Sequence, residues 1–375
     1  MIHVKEAYEI IDSVIRRNPE TTAGLKDCPG YVLSSDICAE DNIPLCDNSA
    51  MDGFAVKFTD LKNASTENPV VLDVIDEIPA GRVSEKTLEN GQAVRIMTGG
   101  VVPEGAGAVI KKEDTDDNGD IVRIFASSFE GENIRRAGED IRKGEKVLSA
   151  GEMIKPADAG ILASLGVVNV PVYEKPVAAL LVTGDEIIPP EEELVPGKVR
   201  NSNLYTLTAL LKKSGITVQE LPQGRDSLER LKKILESALD AGILITSGAV
   251  SVGKYDFLKT ALLELGMTEH FWRVKQKPGK PLLFGSLGDT PVFGLPGNPV
   301  SVMVSFLMYV EPAIRKMMGF RNYMPAKISA SLDSAYEKPA GLTHFIRGSY
   351  RFSAGKVTAR PFDRQGSGIL RSMSV

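Results

Sequence analysis

The sequence predicts a multidomain protein of class α/β plus β. It would have a central α/β domain with a parallel sheet, a β domain inserted near the N-terminus and a C-terminal β domain. Three observations predict this. Between residues 177 and 316, apolar β-branched runs alternate with helical patterns, as in βα units laid into a parallel sheet with helices on both faces. Between 70 and 137, short runs (VVLDVIDEI, GQAVRIMTG, GAVIKKED, DIVRIFA) are separated by turn residues, with no good helix among them. From 326 to 375, AKISASL, THFIRGSYRF, KVTARPF and SGILRSMSV return to β patterning, the last reading as a strand that ends the chain at Val375. A length of 375 residues suffices for two to four domains.

Composition narrows the function classes. The chain is 43% hydrophobic and 25% charged, normal for soluble globular proteins. A net charge of −5 lacks the basic footprint of a nucleic-acid binder. Cys28, Cys38 and Cys46 form no close pair, which argues against a disulfide framework or a cysteine zinc site and fits a reducing compartment. His3, His270 and His344 are widely scattered, so a histidine metal cluster or triad is disfavoured. The N-terminus (MIHVKEAYEI) is no secretory h-region, and no apolar run reaches membrane-spanning length. A cytoplasmic protein is expected.

The elements follow in order. Residues 3–17 place Val4, Ala7, Ile10, Ile11 and Val14 on one face of an amphipathic helix. Residues 31–40 (YVLSSDICAE) read as a strand. In 43–56, Pro44, Asn48, Ser49 and Asp52-Gly53 crowd before an apolar alternation, and Asp-Gly is by itself a routine turn dipeptide. Thr98-Gly99-Gly100 closes the run AVRIM, either as a plain turn or as a loop able to approach a ligand closely. The stretch 133–151 holds Arg135, Arg136, Glu139 and Asp140. It is either a solvated charged surface or a rim whose arginines meet an anionic substrate. A helix is expected at 156–166, starting at Pro156 and ending at Gly166, followed by the strand VVNVPVYEK.

The βα series begins with VAALLVTGDE, a strand and its loop. NSNLYTLTALLKKSG is a capped helix closed by Gly215, ITVQELPQG a strand, and SLERLKKILESALD a helix with Asp226-Ser227 as its N-cap candidate. The unit 243–265 runs from strand through a Ser/Gly loop into a helix. TPVFGLPGNP is a strand and loop before the helix VSVMVSFLMYVEPAI. Parallel strands deliver three loops to one sheet edge, where ligands of such sheets bind. These are Thr183-Gly184-Asp185-Glu186, Thr246-Ser247-Gly248 and Leu295-Pro296-Gly297-Asn298-Pro299.

The loop 248–254 nearly matches the phosphate loop G-x4-G-K-[ST], but Tyr255 stands where a small hydroxyl is needed, which argues against a nucleotide triphosphatase. Lys275, Lys277 and Lys280, with Arg273, lie in a Pro/Gly stretch, either an exposed basic loop or a clamp for phosphate. Asp52, Glu186, Asp226 and Asp256 are, taken singly, caps or surface acids. If they converge on one cleft, their repulsion calls for a cation, most simply Mg²⁺ held by oxygens.

Taken together and in order, DNSAMDGFAV, RIMTGGVVPEGAGAVIKKED, NIRRAGEDI, TGDE, SGAVSVGKYD, KPGKP and GLPGNPVS resemble the MoeA family of molybdopterin molybdenumtransferases, which includes the gephyrin E domain. The resemblance covers nearly the whole chain. It implies an elongated four-domain homodimer. Residues 1–40 and 138–172 would form the elongated N-terminal domain, 41–137 the inserted β domain, 173–320 the molybdopterin-binding α/β domain and 321–375 the C-terminal β domain. The implied reaction inserts molybdate into the dithiolene of adenylyl-molybdopterin, with Mg²⁺-dependent release of AMP. The molybdopterin adenylyltransferase is then a candidate partner, and neither nucleic acid nor membrane is one.

By the same resemblance, Asp52, Glu186, Asp226 and Asp256 are the catalytic acids, with Glu186 and Asp256 as Mg²⁺ ligands. Thr98, Asp140, Lys277, Lys280 and Ser367 match family positions by motif. Arg135, Arg136, Thr183, Gly184, Ser247, Gly248, Ser251, Lys275, Pro296, Gly297, Asn298 and Pro299 complete the expected substrate-binding set. The cleft is expected to be shared, Asp52, Thr98 and Asp140 of one subunit meeting Glu186 and Asp256 of the other. A non-catalytic molybdopterin-binding scaffold is the alternative. Departures from the family pattern are Ala249 in S-G-A-V, Gly100 in T-G-G, and an end close after Q-G-S-G. That end predicts an incomplete last domain, with Ser367 on a strand lacking its partner.

Overall fold

The computed structural model describes residues 1–223, 228–248 and 257–374. The chain forms two compact units: Met1–Ser35, Ala150–Pro156 and Asn169–Val375 make the larger, and Asp36–Ser149 with Ala157–Val168 the smaller.

The larger unit is built on a six-stranded sheet in the order Thr217–Glu220, Val177–Val182, Ile243–Ser247, Thr290–Leu295, Leu283–Leu287 and Thr268–Trp272. The first four strands are parallel, as the βα pattern predicts. Leu283–Leu287 is the exception, running antiparallel to both neighbours. The register pairs Leu287 with Thr290 across Gly288-Asp289, and Gly288 has a φ of 59°. A two-residue turn of this kind returns the chain at once and leaves no room for a crossover helix.

Alternate residues of the central strands enter opposite cores, as the two-residue period of a strand requires. Leu180, Val182, Ile243, Ile245, Phe293 and Leu295 pack with Leu207 and Leu211 of helix Ser202–Lys213 and with Val302 and Phe306. Ala179, Leu181, Leu244 and Val292 pack on the other face, with Leu231 and Leu235 of helix Leu228–Glu236 and Leu258 and Leu262 of helix Phe257–Glu264. The last helix of this set, Pro299–Ser305, continues through a π-helical turn at Phe306–Val310 into Glu311–Met317. Pro312 lacks an N–H and crowds the preceding turn, which accounts for the widened ladder there.

The N-terminal helix is Val4–Val14, with Ala7 and Ile11 buried. Strand Glu20–Gly24 pairs antiparallel with Asn169–Tyr173. The expected strand over 31–40 is reduced to Ile37–Cys38, because the chain passes from one unit to the other between Ser35 and Asp36. At the C-terminal end, Ser331–Leu332, Lys356–Pro361 and Gly348–Ser353 form a three-stranded sheet. The strand expected at the end of the chain is instead a single 3₁₀ turn, Leu370–Met373. The reason is Arg347, only 8% exposed, which donates to the Gly366 carbonyl at 3.1 Å and Ser372 Oγ at 2.7 Å and curls this segment back.

The smaller unit carries a mixed six-stranded sheet ordered Ala108–Lys111, Gly53–Val56, Gln92–Ile96, Val70–Ile78, Ile121–Ile124 and Thr115–Asp117. Apolar clusters cover both faces, Phe54 and Val56 entering one and Ala55 the other. Asp52-Gly53 is therefore a strand entrance rather than a turn. A Cβ on Gly53 would lie 1.8 Å from the Ile110 carbonyl oxygen, so only glycine lets the two strands approach this closely.

Candidate functional site

The switch in strand order sets the position of the site. From Val177–Val182 the chain moves to Thr217–Glu220 on one side and then to Ile243–Ser247 on the other. A crevice opens beyond the carboxyl ends of strands at such a point. There the structure has a cavity of about 440 Å³, lined by Thr183, Glu186, Gly248, Pro296, Gly297, Asn298 and Pro299 from the three expected loops. Ile187, Val199, Arg200, Asn201, Ser202, Asn203, Pro281 and Ser301 complete its wall. The volume is that of a small-molecule site.

The loops are tied together from below. Asn203, 6% exposed, donates through its side-chain amide to Ser247 Oγ at 3.1 Å and to the Gly297 carbonyl at 2.8 Å. Ser247 is fully buried, and its hydroxyl donates to the Pro296 carbonyl at 3.2 Å. It thus braces the floor of the cavity. Gly248 has a φ of 91°, and a Cβ there would stand 2.1 Å from the Thr183 carbonyl oxygen, so the first two loops meet backbone to backbone. The Gly184 carbonyl accepts from Gln223 Nε2 at 3.1 Å, and Gly184 does not itself line the cavity.

Two features suit this cavity to an anion. The helix Ser202–Lys213 and the helix that opens with Pro299–Ser305 both begin at its wall, which brings their positive dipole ends there. The Thr183 hydroxyl, within a residue 6% exposed, has no hydrogen-bond partner among the described residues. A buried hydroxyl left unpaired costs about 1–3 kcal/mol, so an oxygen-rich ligand or water beside it would be stabilised. Glu186 is the only carboxylate lining the cavity among the described residues.

A second cavity of about 690 Å³ adjoins the first and shares Pro281, Asn298 and Ser301 with it. Lys277, Lys280 and Ser367 line it, both lysines exposed. Ser367 lies in a turn, not on a strand. Its carbonyl accepts from Val300 N–H at 3.1 Å in the first turn of the helix, and its hydroxyl accepts from Asn298 Nδ2 at 3.2 Å. Lys275 lines neither cavity; its ammonium stands 3.2 Å from His3 Nε2. Asp226, Ser251 and Asp256, with the rest of the loop after Gly248, lie outside the described residues.

The remaining expected residues belong to the smaller unit. Asp52 accepts from the Thr98 N–H and the Thr98 hydroxyl, each at 2.7 Å, and these two bonds hold its carboxyl below the usual carboxylate range. Arg136 donates to Asp47 Oδ2 at 2.6 Å, and the Ala137 N–H donates to the other oxygen of Asp47 at 2.8 Å. Its guanidinium is therefore engaged within the fold. Arg135 is exposed in strand Ile134–Arg135, which pairs with Asn48–Ser49. Asp140 is exposed, its backbone N–H bonded to the Ile43 carbonyl at 3.1 Å. Among the described residues no group of three or more His, Cys, Asp or Glu is arranged to hold a metal ion.

Sequence reasoning missed Asn203, Arg200 and Asp47. The signal for Asn203 was present, since NSN carries one more side-chain amide than a helix cap requires.

Comparison with known proteins agrees with this architecture. Residues 2–166 match the MoeA N-terminal region (domain I and II), 179–316 a probable molybdopterin binding domain, and 329–375 the MoeA C-terminal region (domain IV). The chain is 37% identical over 364 residues to molybdopterin molybdenumtransferase 2 of Mycobacterium tuberculosis, covering 95% of this chain and 90% of that one. It is 36% identical over 380 residues to the molybdopterin molybdenumtransferase of Bacillus subtilis, covering 100% of this chain and 88% of that one. The crystal structure of the molybdopterin biosynthesis MoeA protein from Pyrococcus horikoshii matches with a TM-score of 0.81 at 32% identity, covering 100% of this chain and 93% of that one. The chain belongs to the MoeA family of molybdopterin molybdenumtransferases, enzymes of molybdenum cofactor biosynthesis.

Proposed function

We propose that this chain inserts molybdenum into molybdopterin in the cytoplasm. It takes adenylyl-molybdopterin and molybdate, joins the metal to the dithiolene sulfurs and releases AMP. The observation that carries the reading is the pair of adjoining cavities at the sheet switch point, one edged by two helix N-termini and the other by Lys277 and Lys280. A pyrophosphate-linked, multiply anionic substrate matches both walls. The molybdopterin adenylyltransferase is the proposed partner that supplies it.

The chemistry asks for charge handling more than for a protein nucleophile, since the sulfurs belong to the substrate. Two oxo groups of molybdate leave as water, taking up the two thiol protons and two more from solvent, while two molybdenum–sulfur bonds form, and cleavage of the phosphoanhydride takes up one water. Negative charge then grows on the phosphate of the departing AMP. In this reading Lys277 and Lys280 neutralise it, and the helix dipole ends and the Thr183 hydroxyl favour oxyanions; their lining of the two cavities supports these roles. Glu186 lines the same cavity as Thr183, whose hydroxyl has no partner among the described residues; such hard oxygen donors would suit Mg²⁺, with Asp256 as the expected second ligand. When bound, Mg²⁺ spreads the charge developing on the phosphate oxygens.

We also propose that the chain works as a homodimer, with Asp52, Thr98 and Asp140 of one copy completing the site of the other. The test is to incubate the purified protein with adenylyl-molybdopterin, Mg²⁺ and molybdate and to measure AMP. Molybdate-dependent release is expected. Pterin binding with no AMP release from an intact dimer would replace this reading with that of a binding scaffold.

A further inference from the structure

The lysine loop rests on a buried polar chain that the proposed chemistry does not itself require. Gln276 is 1% exposed and Tyr309 fully buried. The Tyr309 hydroxyl donates to Gln276 Oε1, and Gln276 Nε2 donates to the Gly279 carbonyl at 2.9 Å. Gly279 itself has a φ of 85°, and a Cβ there would lie 2.8 Å from Ser305 Oγ and 2.9 Å from Gln276 Nε2. The loop is thus pressed onto Ser305 and Gln276 with no spare volume. The ring of Tyr8, from the N-terminal helix, packs against that of Tyr309 at a tilt of 33°, with centroids 5.0 Å apart.

Such a chain is costly to keep in an apolar core unless every member is satisfied. Here both ends of the Gln276 amide are used. One end holds the π-helical turn of the helix that starts at the first cavity, and the other holds the turn between Lys277 and Lys280. Flexible lysines bind an anion more tightly when their backbone is already fixed, because less freedom is lost on binding.

We infer that Gln276 and Tyr309 are positioning residues that hold the Lys277–Lys280 turn so that both ammonium groups face a polyanionic phosphate group in the second cavity. This rests on the proposed function, in which those lysines meet the substrate's pyrophosphate. Tyr309 does not line the cavity; Gln276 does, but its amide is spent on the Tyr309 hydroxyl and the Gly279 carbonyl, so both act through the loop rather than as donors to the ligand.

The experiment is a double-mutant cycle read by calorimetric titration of the full-length protein with inorganic pyrophosphate. Tyr309→Phe keeps the ring and removes the hydroxyl, and is expected to weaken pyrophosphate binding by roughly three- to tenfold, the span of one lost hydrogen bond. In a Lys277→Ala, Lys280→Ala background the same change is expected to have no further effect on binding, while lowering the melting temperature equally in both backgrounds. Gln276→Met, which breaks both bonds without changing volume greatly, repeats the cycle should Tyr309→Phe fail to fold. Unchanged affinity in Tyr309→Phe, or an equal loss in the lysine-free background, would overturn the inference. Unchanged affinity in the lysine pair alone overturns the phosphate reading of this cavity before Tyr309 is touched, and the inference falls with it.

Discussion

The two units handle charge in opposite ways. In the larger one, polar groups are gathered under three loops, with Asn203, Ser247, Thr183 and Gln276 all buried around the cavities. What they present outward is mostly N–H groups and lysines, with Glu186 the sole acid lining the first cavity among the described residues. The smaller unit buries apolar residues on both faces of its sheet and keeps its acids outside, several of them already held by donors of their own. Asp52 is held by Thr98, Asp47 by Arg136 and Ala137, and Asp117 by Arg95 at 2.8 Å. In the proposed function the larger unit is the receptor for an anion, and the smaller supplies carboxylates whose geometry is set before anything binds, which would lower the cost of ordering them.

The largest effect that tests this division is on turnover. Glu186→Ala and Asp52→Ala should each cut AMP release by about a hundredfold or more, the usual cost of removing one preorganised charged group. Both side chains are exposed, so thermal unfolding should barely move. Mixing the two dead variants sharpens the comparison. If the acids come from different copies, random pairing gives heterodimers with one intact site, and about a quarter of the wild-type rate returns. No recovery in a mixture shown to contain heterodimers would place both acids in one copy.

A smaller effect separates the bracing of the receptor from its chemistry. Asn203→Leu removes the donor shared by Ser247 and the Gly297 carbonyl and leaves that carbonyl without this bond. About 1–3 kcal/mol of stability should be lost, seen as a melting temperature lower by roughly 2–4 °C. Pyrophosphate affinity should fall with it, because the loop carrying Asn298 would no longer be tied to its neighbour. A stability loss with affinity intact would show that the third loop keeps its place without Asn203.

How much of this was legible depends on how far apart the partners lie in the chain. The three strand-end loops could be read directly, because the βα period places them at one edge whatever their side chains do. The pairing of Asp52 with Thr98 was legible only as two motifs expected to share a cleft; their direct bond spans 46 positions. Asn203 looked like part of a helix cap, since its partners are 44 and 94 positions away. Gln276 stands between Lys275 and Lys277, and nothing local marks it as buried. An apolar run such as Leu283–Leu287 does not state its direction, and the Gly288-Asp289 turn that reverses it is as short as a loop can be. Ile369, Leu370 and Met373 fit a strand as well as a 3₁₀ turn, and the choice is made by Arg347, 25 positions before Ser372. Lys275 shares the basic stretch with Lys277 and Lys280, yet its backbone N–H donates to the Ile2 carbonyl and its side chain lies beside His3.

The smallest predicted effect asks whether the carboxylate of the smaller unit is ordered by its own fold. The charged form of Asp52 accepts two bonds from Thr98, so its carboxyl titrates below its ordinary value in the native state. A group with a depressed native pKa adds stability above its unfolded pKa, and that stability is lost as pH falls through the native one. Thr98→Val removes the hydroxyl donor but leaves the backbone N–H. The Asp52 midpoint, followed by carboxyl-carbon NMR, should therefore rise part of the way to its ordinary value, not all of it. The acid limb of the stability curve should shift upward in pH in the same direction, by a small amount because Asp52 is exposed and solvent-screened. A midpoint that stays where it was would mean that the backbone N–H alone orders the carboxylate, and that the Thr98 hydroxyl remains available to the substrate.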